Sequence, residues 1–511
     1  MKMVSSGVFQ LYLFVGVMLV MVTFGNGSRQ EELVLPPPSH AYWDGHEYPR
    51  GHRNFGLSVP FYLYSGGGFD AFTGSCGLDF QFTKSMEVSW LNRLARHPWR
   101  VTDPDDAVVF VVPGLFAVPV ALTGTQEQCT RPLDEMSDEL LSALQASPHY
   151  HKNNARDHVL VVGYFKAERY VSNSTTGWAK ALARMTVAPH VIGKTVEPLV
   201  AAGSCLVPVG HQAQPPPPPP PVKEAATSIT HTLFFLGQAV GTGFYRTRRA
   251  LFAPGALRDA GRDNYVVATQ CKGHGQKDEP FPECGSAAAK LLKSTGPHEG
   301  CCIKRPLPYE EYIKLFSSSN FSLSIRGGDA GSSRAFDAVA MGVPQIAIAD
   351  EFFTKYAPFQ CTVPWRDFVY HVESEDAVLQ DAHKVMRKAV AEALPRREQM
   401  KKMQDSFMDD LLWTSPGSLA ANNLLVEVAK RCLPLSRHHA SSMYRKARAA
   451  IDAHECVLTP PPSEAELAHD EQRAHFGPMT NRARRQGGGG RGEQIAHFGS
   501  MTNGTKRRGA G

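Results

Sequence analysis

The stretch Phe321 to Asp350, FSLSIRGGDAGSSRAFDAVAMGVPQIAIAD, constrains the fold of this chain more than any other. Phe321 to Ile325 is an apolar run of strand length, and Ser332 to Met341 carries a helical pattern that opens on Ser332-Ser333 and stops at Gly342-Val343-Pro344. Gln345 to Ala349 is a second apolar strand, so the three together predict a βαβ unit. The join, Arg326 to Ser333, is rich in glycine, which lets the backbone approach a ligand closely at the positive end of the helix dipole. Such a loop suits a diphosphate. Ser333 and Asp337 lie four apart on one helical face, and helix side chains lean toward the N-terminus. Asp337 would then reach a ribose hydroxyl while Arg326, Arg334 and the loop amides hold phosphates. The same spacing also fits an Arg334 to Asp337 pair on a solvated face.

The chain has 511 residues, 42% hydrophobic and 20% charged, enough for two core-bearing domains and tails. Its net charge of +5 is small and much of it sits in the C-terminal tail, so small anionic ligands are favoured and no nucleic-acid partner is expected. Val8 to Phe24 is an apolar run of 17 residues broken only by Gln10, a secretory-pathway address. It is read either as a signal peptide cleaved near Gly25-Asn26-Gly27 or as an uncleaved signal anchor within residues 1–28. Ten cysteines form an even set, for which disulfides are the default in an oxidising compartment. The local group Cys271, Cys284, Cys301 and Cys302 lacks the CxxC clamp of a zinc site, and no metal is expected there. Among the sequons, Asn173-Ser174-Thr175 lies in a polar loop and is the expected glycosylation site, whereas Asn320 opens a buried strand.

Along the rest of the chain, residues 29–56 read as a stem. Val59 to Tyr64 is a strand closed by Ser65-Gly66-Gly67-Gly68, Glu87 to His97 and Asp134 to Ala146 are helices, and Val108 to Pro113 and Val159 to Gly163 are buried strands. Asp103-Pro104-Asp105 has the spacing of a metal-binding DxD motif but is read as a turn in which Pro104 starts the bend and aspartates accept backbone N–H groups. His158 is read either as a structural imidazole at a sheet edge or as a cleft residue. The seven-proline run Pro215 to Pro221 is an extended spacer. Thr232 to Gly237 is a strand, Gln238 to Gly243 a second glycine-rich turn, and Tyr245 to Phe252 a helix carrying Arg246, Arg248 and Arg249. One of these arginines would neutralise a diphosphate, or the helix presents a solvated basic face. Tyr309 to Phe316 is a helix, Glu351 stands at a strand end where it would meet sugar hydroxyls, and three helices follow over Asp376 to Leu394, Arg397 to Trp413 and Leu419 to Cys432. From about Thr459 the chain turns basic and glycine-rich, and Glu471 to Arg485 recurs 22 residues later, which predicts a disordered tail.

The run Arg326-Gly327, Ser332, Arg334, Phe336-Asp337-Ala338 and Gly342-Val343-Pro344, ahead of an apolar strand ending in Asp350, resembles the donor-site signature of the exostosin-like glycosyltransferases. Arg156-Asp157-His158 before a strand, Phe234-Phe235-Leu236-Gly237 and the Tyr309 to Phe316 helix are similar to that family as well. Ser324-Ile325 stands where the family has Cys-Pro, Gly328 where it has Asp, and Ala335 where it has Leu. The resemblance implies an α/β fold with two Rossmann-like domains facing across a cleft, the GT-B architecture. Its expected segments are an acceptor-side domain over 57–210, a linker over 211–228, a donor-binding domain with terminal helices crossing back over 229–432, and a tail over 433–511. It further implies inverting transfer of a hexosyl or pentosyl group from a nucleotide sugar, expected to be a UDP-sugar, to a glycan or glycoprotein, with no metal or other cofactor. The expected setting is the Golgi lumen as a type II membrane protein, or the ER lumen or secretion after signal cleavage, with a homo- or hetero-oligomer allowed. Expected donor-binding residues are Arg246, Arg249, Arg326, Gly327, Ser332, Ser333, Arg334, Asp337 and Glu351. Asp70, Asp157 and His158 are alternative catalytic bases. The departures from the family pattern leave open a non-catalytic scaffold or co-subunit, and a secretory carbohydrate-binding protein is the third class.

Overall fold

The computed structural model describes residues 57–76, 86–121, 129–173, 175–211, 229, 231–237, 245–252, 265–270, 298–303, 308–327, 330–372, 374–415, 417–433, 441–453 and 456. The expected anchor, stem, proline run, Gln238 to Gly243 turn and duplicated tail segment lie outside these residues. All the described residues fall in one compact unit, Met1–Thr459.

The first unit contains two parallel sheets. One is built from β1 (Phe61–Leu63), β2 (Val109–Val111), β3 (His158–Val162), β4 (Thr186–Pro189) and β5 (Cys205–Leu206), in that order across the sheet. The other comprises β6 (His231–Leu236), β7 (Tyr265–Gln270), β8 (His298–Ile303), β9 (Ser319–Ile325), β10 (Gln345–Ile348) and β11 (Val369–His371). Its order is β11-β10-β9-β6-β7-β8, which is the 3-2-1-4-5-6 arrangement of doubly wound nucleotide-binding sheets, with the order reversing between β6 and β9. Among the described strands of the first sheet there is no such reversal.

The strands at the middle of the second sheet, β6, β9 and β10, run parallel and are apolar on both faces, as buried parallel strands are. Leu233 and Phe235 pack in one core cluster with Phe321, Leu323, Ile325, Ile346 and Ile348, while the intervening Phe234 packs in another with Leu315, Phe316, Ala338 and Val343. The predicted βαβ unit is present as β9, a helix over Arg334–Ala340 and β10, with Gln345 opposite Ser322 and Ile348 opposite Ile325. Gly342 ends the helix at φ 63°, where an L side chain would be strained.

The terminal helices return to the first sheet. Trp413 Nε1 donates to Val209 O at 3.3 Å, Arg93 donates to Trp413 O at 2.8 Å, and His97 Nε2 meets Asn422 Oδ1 at 3.0 Å. Cys205 is bridged to Cys432, Cys76 to Cys129 and Cys361 to Cys456, so every cysteine whose side chain is described is in a disulfide. Two expectations need correction. The Arg397 to Trp413 helix breaks at Phe407, whose buried ring turns inward, leaving Arg397–Ser406 and Met408–Leu411. The tail does not begin at residue 433, because Ser442–Ala453 forms a helix that buries Tyr444, Ala447 and Ile451, and Cys456 is bonded to the core. Asp103-Pro104-Asp105 is the expected turn, with Asp103 Oδ1 accepting from Asp105 N at 2.9 Å. Among the described residues no helix is long and apolar enough to cross a membrane, and Val8 to Phe24 is outside them.

Candidate active site

The order reversal between β6 and β9 fixes where a ligand of the second sheet should lie, beyond the carboxyl ends of these two strands. Gly237 follows β6 there, and Arg326-Gly327 follows β9. A Cβ on Gly327 would stand 2.7 Å from Arg248 Nη2, and one on Gly237 would stand 3.1 Å from Arg334 Cζ. The two glycines thus make room for two guanidiniums. Arg248 and Arg334 both lie over the Phe235 ring, each 5.3 Å from its centroid, and Arg248 is also 5.2 Å from that of Tyr245. Arg248 is 5% exposed and donates from Nη2 to Ile325 O at 2.9 Å. Burial and the like charge of Arg334 depress its pKa to about 9. Arg334 Nη1 donates to Ser332 Oγ at 3.1 Å, and its buried Nε has no hydrogen-bond partner among the described residues. Two guanidiniums thus lie against one ring at this strand end, a candidate anion site.

Asp337 sits under the same loop and is 4% exposed, so the solvated-pair reading of Arg334 and Asp337 is overturned. Tyr312 Oη donates to Asp337 Oδ2 at 3.4 Å, and burial together with this carboxylate drives the Tyr312 hydroxyl far above its ordinary range. Ser332 is buried and its carbonyl accepts from Tyr356 Oη, while Ser333 is exposed and makes no side-chain cap.

Arg326 is not turned to a phosphate site. Its Nε donates to Glu375 Oε1 at 2.5 Å and its Nη2 pairs with Glu351, so two carboxylates already neutralise it. Glu375 also accepts from Asp350 N at 3.0 Å and Thr247 Oγ1 at 2.9 Å, which makes Arg326 a brace between β9 and the Glu375–Ala393 helix. Glu351 is occupied by Arg326 and by Lys355 at 3.2 Å, rather than presented to a sugar. Arg246 and Arg249 are exposed, and Arg246 lies 3.6 Å from Asp376. Arg248, between them in sequence, is the buried arginine of that helix.

On the first sheet, Asp157 and His158 stand at the amino end of β3, opposite the end at which parallel sheets bind ligands. His158 is fully buried, stacked on Phe110 at 4.9 Å, with Nε2 2.8 Å from Tyr64 Oη and Nδ1 2.7 Å from Asp157 Oδ1. Asn153 Nδ2 donates to the other Asp157 oxygen at 2.5 Å, so the network is closed and structural. Asp70 is exposed and its Oδ2 accepts from Gly66 N at 3.0 Å, closing its own turn after β1. Asn173 is exposed, with Oδ1 accepting from Thr175 N at 3.1 Å.

The carboxyl end of this sheet carries two acids that the sequence reading passed over. Glu87 is fully buried, accepts from Ala117 N at 2.8 Å and Gly163 N at 3.1 Å, and is pushed up to about 8 by burial. Glu168, 2% exposed, accepts from His190 N at 3.0 Å and is bonded through the same oxygen to His190 Nδ1. A carboxylate only accepts, so His190 carries its proton on Nδ1. His190 directly follows β4. Its ring is 4.8 Å from that of His211, which is 6.0 Å from Tyr356, whose hydroxyl bonds the Ser332 carbonyl ahead of the Arg334–Ala340 helix. The signal that could have found it was the apolar strand Thr186–Pro189 ending in His.

No curated protein sequence matches this chain. Three solved structures are similar at low level. The calicheamicin glycosyltransferase CalG4 is 14% identical over 73% of this chain and 98% of that one, with a TM-score of 0.29. The S. aureus MnaA structure with UDP is 10% identical over 73% and 96%, with a TM-score of 0.29. Arabidopsis thaliana UGT89C1 complexed with UDP is 14% identical over 59% and 78%, with a TM-score of 0.27. These scores assign nothing by themselves. The Exostosin GT47 domain, in contrast, matches residues 79–389, more than half of the 511-residue chain. That span contains both sheets except β1, together with Arg248, Arg334, Asp337, Glu168 and His190. This chain belongs to the exostosin family of glycosyltransferases and carries its GT47 domain.

Proposed function

We propose that this chain is an inverting glycosyltransferase of GT-B architecture that binds a nucleotide sugar, expected to be a UDP-sugar, at the switch point between β6 and β9. The observation that carries this reading is the Arg248 and Arg334 pair held against Gly237 and Gly327. Two guanidiniums against one aromatic ring, Arg248 buried and Arg334 half-buried, repel each other, and a diphosphate reaching both would offset that repulsion. As the bond between the anomeric carbon and the diphosphate breaks, negative charge grows on the leaving oxygens, and the two guanidiniums stabilise it. The protein thus supplies the positive charge itself, and the reading calls for no metal. Asp337, beneath the loop, is suited to a ribose hydroxyl.

The hexosyl or pentosyl group passes to a glycan or glycoprotein acceptor bound at the carboxyl edge of the first sheet. Tyr164 and Phe165 follow β3 there with rings 4.7 Å apart, and Phe165 is 42% exposed, an apolar surface suited to the face of a sugar ring. The disulfides among the described residues favour an oxidising compartment, in keeping with a Golgi lumenal enzyme on an N-terminal anchor and with glycosylation at the exposed Asn173. A scaffold or co-subunit is the second reading, favoured by the capture of Arg326 between two carboxylates.

A thermal-shift screen of the full chain against UDP, GDP and CMP in EDTA tests the proposal. One nucleotide should raise the melting temperature, and Arg334→Ala should abolish the rise. A folded protein that responds to none of them refutes the donor site.

A further inference from the structure

The start of the Arg334–Ala340 helix is held by a residue that no sequence motif singled out. Tyr356 closes a π-helical turn over Phe352–Tyr356, which follows β10 at the carboxyl end of the second sheet. Such widened turns recur at functional sites. We propose that Tyr356 is a positioning residue of the donor site, whose hydroxyl fixes Ser332 and, through it, the guanidinium of Arg334.

Three contacts carry it. The first is with Gly331, where a Cβ would stand 1.8 Å from Tyr356 Cδ2, so the ring fills the space that a glycine leaves open. The second is with Ser332. Its carbonyl accepts from Tyr356 Oη and also from Ala335 N at 2.9 Å, so both lone pairs are used and the peptide after Ser332 is held in one orientation. The third links Ser332 to the cation, because its Oγ accepts from Arg334 Nη1 at 3.1 Å and from Arg334 N at 3.4 Å. The path from the phenol to the guanidinium is therefore continuous. A guanidinium held before the ligand arrives loses less rotamer freedom on binding, and it stabilises the leaving diphosphate without reorganising.

Packing alone does not account for the hydroxyl. The Tyr356 ring lies 5.4 Å from that of Phe352, 6.0 Å from Phe336 and 6.0 Å from His211, and these neighbours would hold a phenylalanine as well. Burial drives the phenol pKa well above its ordinary range, so the group stays a donor at any working pH. The turn that carries it is anchored from the other sheet, since Lys355 O accepts from Ile192 N at 2.8 Å in the segment after β4. Main chain held by one half of the unit thus presents a side chain that sets the donor site of the other.

The inference rests on the nucleotide site of the proposed function, and the test separates the two. UDP affinity of the full chain is measured by calorimetry for wild type, Tyr356→Phe, Arg334→Lys and the double variant, with thermal melts to show that each is folded. Arg334→Lys keeps the charge but not the planar fork that Ser332 orients. Tyr356→Phe should raise the Kd for UDP about threefold to tenfold in the wild-type background and less than about twofold in Arg334→Lys, because the path it cuts ends at the guanidinium. A hydroxyl that serves only stability gives no such difference between backgrounds. An equal rise in both, or no rise in the wild type, overturns the assignment while leaving the donor site intact. If Tyr356→Phe does not fold, Ser332→Ala cuts the same path at its middle and takes its place in the cycle, where the same results support or overturn the path. A folded wild type that binds no UDP overturns both readings.

Discussion

Replacing Arg248 by Met separates a binding role from a structural one, because the two predict opposite effects on the empty protein. The side chain is 5% exposed and its pKa falls from 12.5 to about 9, so keeping the cation there at neutral pH costs on the order of 5 kcal/mol. Arg248→Met removes that cost. It also removes the bond to Ile325 O, about 1.5 to 3 kcal/mol for a charged donor, and the stacking on Phe235 and Tyr245, about 0.5 to 1 kcal/mol each. The empty protein should therefore be unchanged or more stable by about 1 to 2 kcal/mol, the outcome expected when a buried charge is exchanged for an apolar side chain of similar volume. UDP affinity should fall by about 1.5 to 3 kcal/mol, roughly tenfold to a hundredfold in Kd. Urea denaturation of the empty chain and calorimetric UDP titration read the two quantities. A variant that is clearly destabilised yet binds UDP as tightly as wild type would refute the reasoning, since Arg248 would then be a brace like Arg326.

Three further outcomes follow from particular contacts. Glu87 is neutral in the folded state up to about pH 8 and titrates near 4.5 when unfolded, so its stabilising contribution is full below about 4.5 and is lost as pH rises through about 8. Denaturation midpoints should show Glu87→Gln at its greatest disadvantage near pH 5, with the gap to wild type narrowing toward pH 8. Gly210 has φ 70° and a Cβ there would overlap the Phe336 ring, so Gly210→Ala should cost about 1 to 3 kcal/mol and lower Tm by several degrees in a thermal melt. Phe165→Ala, at an exposed position, should leave Tm and UDP affinity unchanged and raise the acceptor KM several-fold in a transfer assay.

The βαβ unit was legible because everything that makes it is local: two apolar runs, a serine-rich start and a Gly-Val-Pro stop within thirty residues. The position of the glycine-rich loop at the carboxyl end of β9 was legible for the same reason. Which arginine faces the loop was not. Arg246, Arg248 and Arg249 differ by fractions of a helical turn, and the choice is made by Ile325 and Gly327, more than seventy residues away in sequence. Arg326 looked like a phosphate ligand until Glu375, 49 residues on, took its Nε. The two histidines show a signal that could have been used: a residue just before a parallel strand lies at the amino end of the sheet, and one just after it lies at the carboxyl end. His158 precedes the body of β3 and His190 follows β4, so their places differ although both neighbour apolar runs. The Ser442–Ala453 helix was hidden by its polar composition, and its apolar stripe of Tyr444, Ala447 and Ile451 becomes meaningful only against the Ala420–Arg431 helix it covers.

The central claim is that a diphosphate belongs between Arg248 and Arg334 at the β6 and β9 switch point. A crystal structure of the full chain with UDP tests it directly. Phosphate oxygens within hydrogen-bonding distance of both guanidiniums, about 2.7 to 2.9 Å, with Arg326 still bonded to Glu375, are the predicted result. UDP seated elsewhere, or bound with Arg326 released to the phosphates and Arg248 unmoved from Ile325 O, would contradict it.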